Sequence, residues 1–172
     1  MEYKNFINVN HNSTKRDYIG RVNNSDKAEV ATLALNWDYD YWDGSRDTGY
    51  GGYKYDGRWK NVASKMMSSY NLKPGMKILD VGSGKGFLLK DFKLCCPEIN
   101  VYGIDISSYA VQNTEIEVRE QCIVGNATDL PYSDNYFDLV VSINTLHNLY
   151  NCELEKALKE INRVSKKNSF VC

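Results

Sequence analysis

The 172-residue chain contains no apolar run that approaches the roughly 18–20 residues needed to cross a bilayer. Its opening residues, Met1-Glu2-Tyr3-Lys4-Asn5, lack the apolar core of a signal peptide, so the expected location is cytoplasmic. Net charge is −1, from 21 basic and 22 acidic residues, which leaves no bulk attraction for nucleic acid or an anionic membrane. Neither is an expected partner. The five cysteines, Cys95, Cys96, Cys122, Cys152 and Cys172, form no C-x-x-C pair. The only histidines are His11 and His147, so no metal-ligand spacing arises and no metal is expected. There is no internal repeat and no low-complexity tract.

What the chain does have is tyrosine: 13 residues, many of them between positions 39 and 70. Residues 1–24 are polar and weakly periodic, and read as an arm. Asp26 and Glu29 have the spacing of a capping pair, followed by Val30, Leu33 and Ala34, which predicts a helix near 26–36. Residues 38–58 mix aromatics, charges and glycines without a sustained period, and read as a long functional loop. Trp59, Val62, Ala63, Met66, Met67 and Tyr70 then form one apolar helical stripe, closed by the turn Pro74-Gly75.

From there strands and helices alternate. Strands are expected at 76–81, 100–105, 121–124, 136–142 and 169–172, with helices at 86–94, 108–117 and 152–164. That alternation predicts a mostly parallel sheet covered on both faces, a three-layer α/β/α sandwich of about five strands. The division expected is an N-terminal arm, helix and loop over 1–58 and an α/β domain over 59–172.

The first strand, Lys77-Ile78-Leu79-Asp80-Val81, runs into Gly82-Ser83-Gly84-Lys85-Gly86. Glycine reaches strained dihedrals cheaply and lets a ligand approach the backbone, and the following helix presents free N–H groups. Spacing separates the possible ligands. A dinucleotide loop needs Gly or Ala at position 87, which is Phe87, and a phosphate-binding Walker loop needs Ser or Thr after Lys85, where Gly86 stands.

The stretch Asp80–Gly86 instead resembles motif I of the class I, Rossmann-like S-adenosylmethionine-dependent methyltransferases, and the resemblance extends over about residues 74–172. It implies that Asp80 lies near the methionine amino end of S-adenosylmethionine, and that Gly82, Ser83, Gly84 and Gly86 make room for the adenosyl moiety. Val101–Ser107 resembles the family's second strand, whose terminal acid, here Asp105, grips the ribose hydroxyls, while Ile106 covers an adenine face. Gly125-Asn126-Ala127-Thr128-Asp129-Leu130-Pro131-Tyr132 resembles the adenine loop. Asn126 stands where the family more often has Asp, and its oxygen would accept from the adenine amino group. Residues 143–148 follow the fourth strand, where the family lines the methyl-transfer site, which brings in Asn144 and His147. His147 reads equally as a general base or as a capping and packing residue.

Residues 38–58 take the place of the segment that folds over the cofactor in many family members. Tyr41 and Tyr50 would shield the sulfonium, and Arg46 or Arg58 would pair with a carboxylate of the cofactor or an anionic substrate. The activity implied is methyl transfer to a small-molecule acceptor. The alternatives are a binding module for the cofactor or its product S-adenosylhomocysteine, and, against Phe87, a nucleotide-cofactor oxidoreductase domain. Two departures stand out. Lys166-Lys167-Asn168-Ser169 replaces a Pro-Gly-Gly type turn, and the chain ends at Cys172, whereas the family sheet normally has seven strands. The expectation is a truncated chain, or a sheet whose exposed edge is covered by a second copy in a homodimer.

Overall fold

The structure, a computed structural model, describes residues 5–7 and 27–172. Most of the expected arm, and the side chains of Asp26 and Glu29, lie outside the described residues. The chain divides into two units, Met1–Arg58 and Trp59–Cys172.

In the first unit, helix α1 spans Lys27–Ala34 and a one-turn helix α2 spans Tyr39–Trp42. Asp38 caps α2 by accepting the Tyr39 N–H at 2.8 Å, as a short acceptor side chain does at an N-cap. The expected irregular loop is thus more ordered than its sequence period suggests. Trp42 is buried, stacks on Tyr50 at 5.4 Å, and meets Tyr41 edge-on at 5.2 Å. The returning chain closes on it through Gly52 and Tyr53 N–H groups, both donated to the Trp42 carbonyl. The aromatics of this segment form a small packed core around one tryptophan.

The second unit opens with helix α3, Lys60–Ser69, whose stripe buries Val62, Ala63 and Met66. Strands β1 (Lys77–Val81), β2 (Asn100–Asp105), β3 (Cys122–Val124), β4 (Leu139–Ser142) and β5 (Ser169–Val171) form one sheet in the order β3-β2-β1-β4-β5, with every pairing parallel. Helix α4 (Phe87–Cys95) joins β1 to β2, α5 (Ser108–Gln112) joins β2 to β3, and α6 (Asn151–Val164) joins β4 to β5. The first two connections step away from β1 in one direction and the last steps the other way. Right-handed crossovers therefore place α4 and α5 on one face and α6 on the other, which gives the three layers. Leu79, Val81, Ile104, Phe137 and Val140 from the sheet side pack with Ala157, Ile161 and Val164 of α6 in one buried cluster. β4 is buried at all four positions, as parallel strands between two helical layers are.

Two elements are shorter than their sequence period suggests. The helix expected over 108–117 stops at Gln112, where Asn113 and Thr114 follow and the Thr114 hydroxyl bonds back to the Ala110 carbonyl. The chain then turns so that the Glu115 N–H reaches the Lys85 carbonyl at 3.1 Å. The fourth strand begins at Leu139 rather than Tyr136, because the Tyr136 and Phe137 N–H groups both go to the Val164 carbonyl at the end of α6. Among the described residues no strand pairs with the outer side of β5, and no helix is long and apolar enough to cross a membrane.

Candidate functional site

Because all five strands are parallel, the loops after β1, β2, β3 and β4 leave the sheet from the same edge. This brings together Gly82–Gly86, Ile106–Ser107, Gly125–Ala127 and the segment 143–148. Ligands of open α/β sheets bind at this edge, outside the carboxyl ends of the strands.

The glycine loop is folded by its neighbours. Gly82 and Ser83 both donate their N–H groups to the Ile104 carbonyl, at 2.8 and 3.1 Å. Gly82, Gly84 and Gly86 have φ of 83°, 53° and 74°, the left-handed region that side chains avoid. A Cβ on Gly82 would overlap the side chain of Thr145, so the loop after β4 sits directly against motif I. Gly86 is crowded from below, with Thr114 Cγ2 at 2.8 Å from a Cβ placed there. Phe87, which the dinucleotide pattern excludes, is buried as the first residue of α4.

Two carboxylates flank this loop. Asp105 is buried; its Oδ2 accepts the Gly84 N–H at 2.7 Å and its Oδ1 the Ser107 N–H at 2.8 Å. Burial pushes its carboxyl above the ordinary range, and the two N–H groups pull the other way. Asp80 is the more perturbed. It is 4% exposed, and its carboxylate takes no hydrogen bond from the described residues. Burial, then the nearby charge of Asp105, push its carboxyl up to about 7. Asp80 pairs in register with Gly103, and Gly103 with Cys122, so the three share a sheet face. The missing side chain at Gly103 opens room there: a Cβ would lie 2.6 Å from Cys122 Sγ and 2.8 Å from Ser83 Oγ. The Cys122 thiol is pushed up to about 12 by burial and then by Asp80, and stays an inert packing group.

Other predicted residues have more particular surroundings. Ile106 is 56% exposed at the end of β2, free to cover a planar ligand. Asn126 Oδ1 accepts from both the Thr128 N–H at 2.9 Å and the Thr128 hydroxyl at 3.0 Å. Both lone pairs of that oxygen are thus engaged within the loop, contrary to the expectation that it awaits an adenine amino group. Ala127 packs against the core cluster. Asn144 is exposed with φ 54° and donates its N–H to the Cys172 carbonyl at 2.8 Å. His147 is exposed on a 3₁₀ turn, Leu146–Asn148. In the first unit, Tyr41 and Tyr50 pack on Trp42 and on each other at 5.4 Å. Arg58 is held by Asp56, with Nε to Oδ2 at 2.8 Å and Nη2 to Oδ2 at 2.6 Å, and Arg46 Nη1 donates to the Tyr50 carbonyl.

The sequence reading missed Thr145, which nothing but its contact with Gly82 singles out. It also missed Lys85, which is buried within the loop with its ammonium 5.8 Å from the centre of the Tyr109 ring.

A family model described as a methyltransferase domain matches residues 79–172, from β1 to the end of the chain. The chain belongs to that family. The cofactor that goes with this family and fold is S-adenosylmethionine. Demethylmenaquinone methyltransferase of Symbiobacterium thermophilum is 32% identical over 125 residues, covering 67% of this chain and 49% of its own length. Botryococcene C-methyltransferase of Botryococcus braunii is 30% identical over 114 residues, covering 62% of this chain and 29% of its own. The chain thus spans less than half the length of these curated relatives. Among solved structures, the PH0226 protein of Pyrococcus horikoshii superimposes with a TM-score of 0.55 at 26% identity, covering 74% of this chain and 58% of that one. An S-adenosylmethionine-dependent methyltransferase from Aquifex aeolicus gives 0.50 at 24% identity, with 83% and 68% covered, and shares the fold.

The residues present fit the cofactor. A buried carboxylate with no hydrogen-bond donor among the described residues, Asp80, suits the ammonium of a methionine moiety, and three left-handed glycines leave backbone rather than side chains facing the ligand. Asp105 retains acceptor capacity on both oxygens after its two N–H bonds, which suits a ribose diol.

Proposed function

We propose that this chain binds S-adenosylmethionine at the edge formed by the ends of β1 to β4 and transfers its methyl group to a small organic acceptor. The observation that carries this reading is the pair of buried acids, Asp80 and Asp105, on either side of the glycine loop. Asp80 takes the ammonium end, the glycine loop takes the middle of the molecule against its backbone, Asp105 takes the ribose, and Ile106 covers the base. Asn126 contributes by holding the turn at 126–129 rather than by offering its oxygen. Asn144 and His147, on the loop after β4, face the transfer step, with His147 as proton acceptor when the acceptor substrate arrives protonated.

When bound, the cofactor supplies an activated methyl group on a sulfonium. The protein's part is alignment of the acceptor atom with that methyl group. A small acceptor is favoured by a net charge of only −1 and by relatives named for methyl transfer to demethylmenaquinone and botryococcene.

Transfer of a radiolabelled methyl group into a small-molecule extract tests the proposal. Wild-type chain should label an extractable product; Asp105→Ala should lose both labelling and most affinity for S-adenosylhomocysteine; His147→Ala should lose labelling and keep affinity. Wild-type affinity in Asp105→Ala would refute the site. Tight binding of S-adenosylhomocysteine with no labelled product would leave a binding module.

A further inference from the structure

The loop from 125 to 135 packs against α6 and is secured by two of its side chains. Glu160 Oε2 accepts the N–H of Leu130 at 2.8 Å, and Arg163 Nη2 donates to the carbonyl of the same residue at 2.9 Å. Both backbone groups of Leu130 are thus taken by residues one helical turn apart. The two side chains are also bonded to each other, Arg163 Nε to Glu160 Oε1 at 2.6 Å and Nη2 to Oε2 at 2.7 Å. The remaining guanidinium nitrogen, Nη1, reaches the Tyr132 carbonyl at 2.7 Å and Asp134 Oδ1 at 2.9 Å. Every donor-bearing nitrogen of Arg163 is therefore spent on the loop or on the residue that shares the loop with it. This is more than a surface ion pair: a planar fork fixes direction as well as distance, and a lysine could not span the same acceptors.

The near end of the loop is fixed separately, since the Gly125 N–H donates to the Asp105 carbonyl at 2.9 Å. Between the two anchors lie only residues 126–129, folded by Asn126 on Thr128 and by the Asp129 N–H on the Asn126 carbonyl at 3.1 Å. A short turn pinned at both ends has little freedom of its own, so its position follows its anchors. One anchor is the residue placed at the ribose. The other is α6.

We propose that Glu160 and Arg163 are positioning residues for base recognition: by clasping Leu130 they set the turn 126–129 at the height where it reads the edge of adenine. The proposal rests on residues 125–132 being the adenine loop. Hypoxanthine inverts that edge, replacing the amino donor by an oxygen and the ring acceptor by an N–H, so a correctly held turn discriminates between the two bases. A turn held only at Gly125 does not.

The test is calorimetric titration of S-adenosylhomocysteine and its deaminated analogue S-inosylhomocysteine into the full chain. Wild type should prefer the adenosyl ligand by about tenfold or more, the effect of one unmatched buried polar group. Arg163→Met should bring the ratio below about threefold while the protein still melts cooperatively, and Glu160→Gln should move it the same way and carry the test if Arg163→Met does not fold. Retention of the wild-type ratio in a folded variant overturns the positioning role and leaves the adenine-loop reading intact. Equal weakening of both ligands also overturns it, because that is what general loosening of α6 would give. If wild type itself shows no preference, the adenine-loop reading falls and this proposal with it.

Discussion

Replacing Asp80 with asparagine should remove most of the pH dependence of this protein's stability between pH 5 and 8. The Asp80 carboxyl moves from 3.8 to about 7 on folding because the native state buries it beside Asp105. The folded state therefore binds the proton more tightly than the unfolded state. Stability is greatest below the unfolded value, falls as pH rises between the two values, and levels off above about 7. At about 1.4 kcal/mol per unit the full effect is about 4 kcal/mol, of which roughly 2.5 kcal/mol falls between pH 5 and 8. For a domain of this size that is a shift of roughly 10 °C in Tm. The assay is thermal unfolding without cofactor, wild type against Asp80→Asn, across that range. The variant should be the less sensitive to pH and the more stable at pH 8. A bound ammonium reverses the sign: affinity for S-adenosylhomocysteine should rise roughly 50-fold from pH 5 to 7 as Asp80 ionises, and Asp80→Asn should abolish the rise. Parallel melting curves and parallel affinity profiles for the two proteins would refute the placement of Asp80 as a buried, partnerless acid.

Gly82→Ala combines a forbidden φ with overlap on Thr145, and should cost about 1–3 kcal/mol together with most cofactor affinity. Adding Thr145→Ala should recover part of that loss by relieving the overlap alone, and chemical denaturation of the single and double variants measures both. Trp42→Ala empties the centre of the aromatic cluster, at a local cost of about 3–5 kcal/mol. Trypsin cleavage at Arg46 and Lys54 should then accelerate, and an unchanged cleavage pattern would show that the cluster does not order this segment.

Strand β2 was legible to the residue, and β1 to within one. Their largely apolar runs leave no competing period, and each carries an acid at or next to its last position, Asp80 before Val81 in β1 and Asp105 at the end of β2. The glycine loop was legible because its spacing is chemical rather than statistical: Phe87 and Gly86 exclude two ligands by themselves. The order within residues 38–58 was not, because its cause is tertiary. Trp42 is ordered by Tyr50 and Tyr53, eight and eleven positions later, and neither helical nor strand period reports such a contact. The bonds of Asn126 to Thr128 were not legible. Its type suits an adenine amino group, but Thr128 two residues on offers two donors at no cost in chain entropy, and the local partner wins. Arg163 and Glu160 carry no signal in one dimension at all, being an ordinary i, i+3 pair on a helix until the loop from 130 to 134 is folded onto them.

The sheet order also explains why the site lies where it does along the edge. From β1 the chain runs to β2 and β3 on one side, then crosses back to β4 and β5 on the other. The loop after β1 therefore departs toward the face of α4, and the loop after β4 toward the face of α6. Neighbouring loops that part in this way open a crevice between them, and it can occur at only one point in this strand order. That point is marked by the contact between Gly82 and Thr145. A residue with any side chain at position 82 would close the crevice from within. The glycine is required there by topology as much as by the ligand, and Thr145 is the wall it must clear.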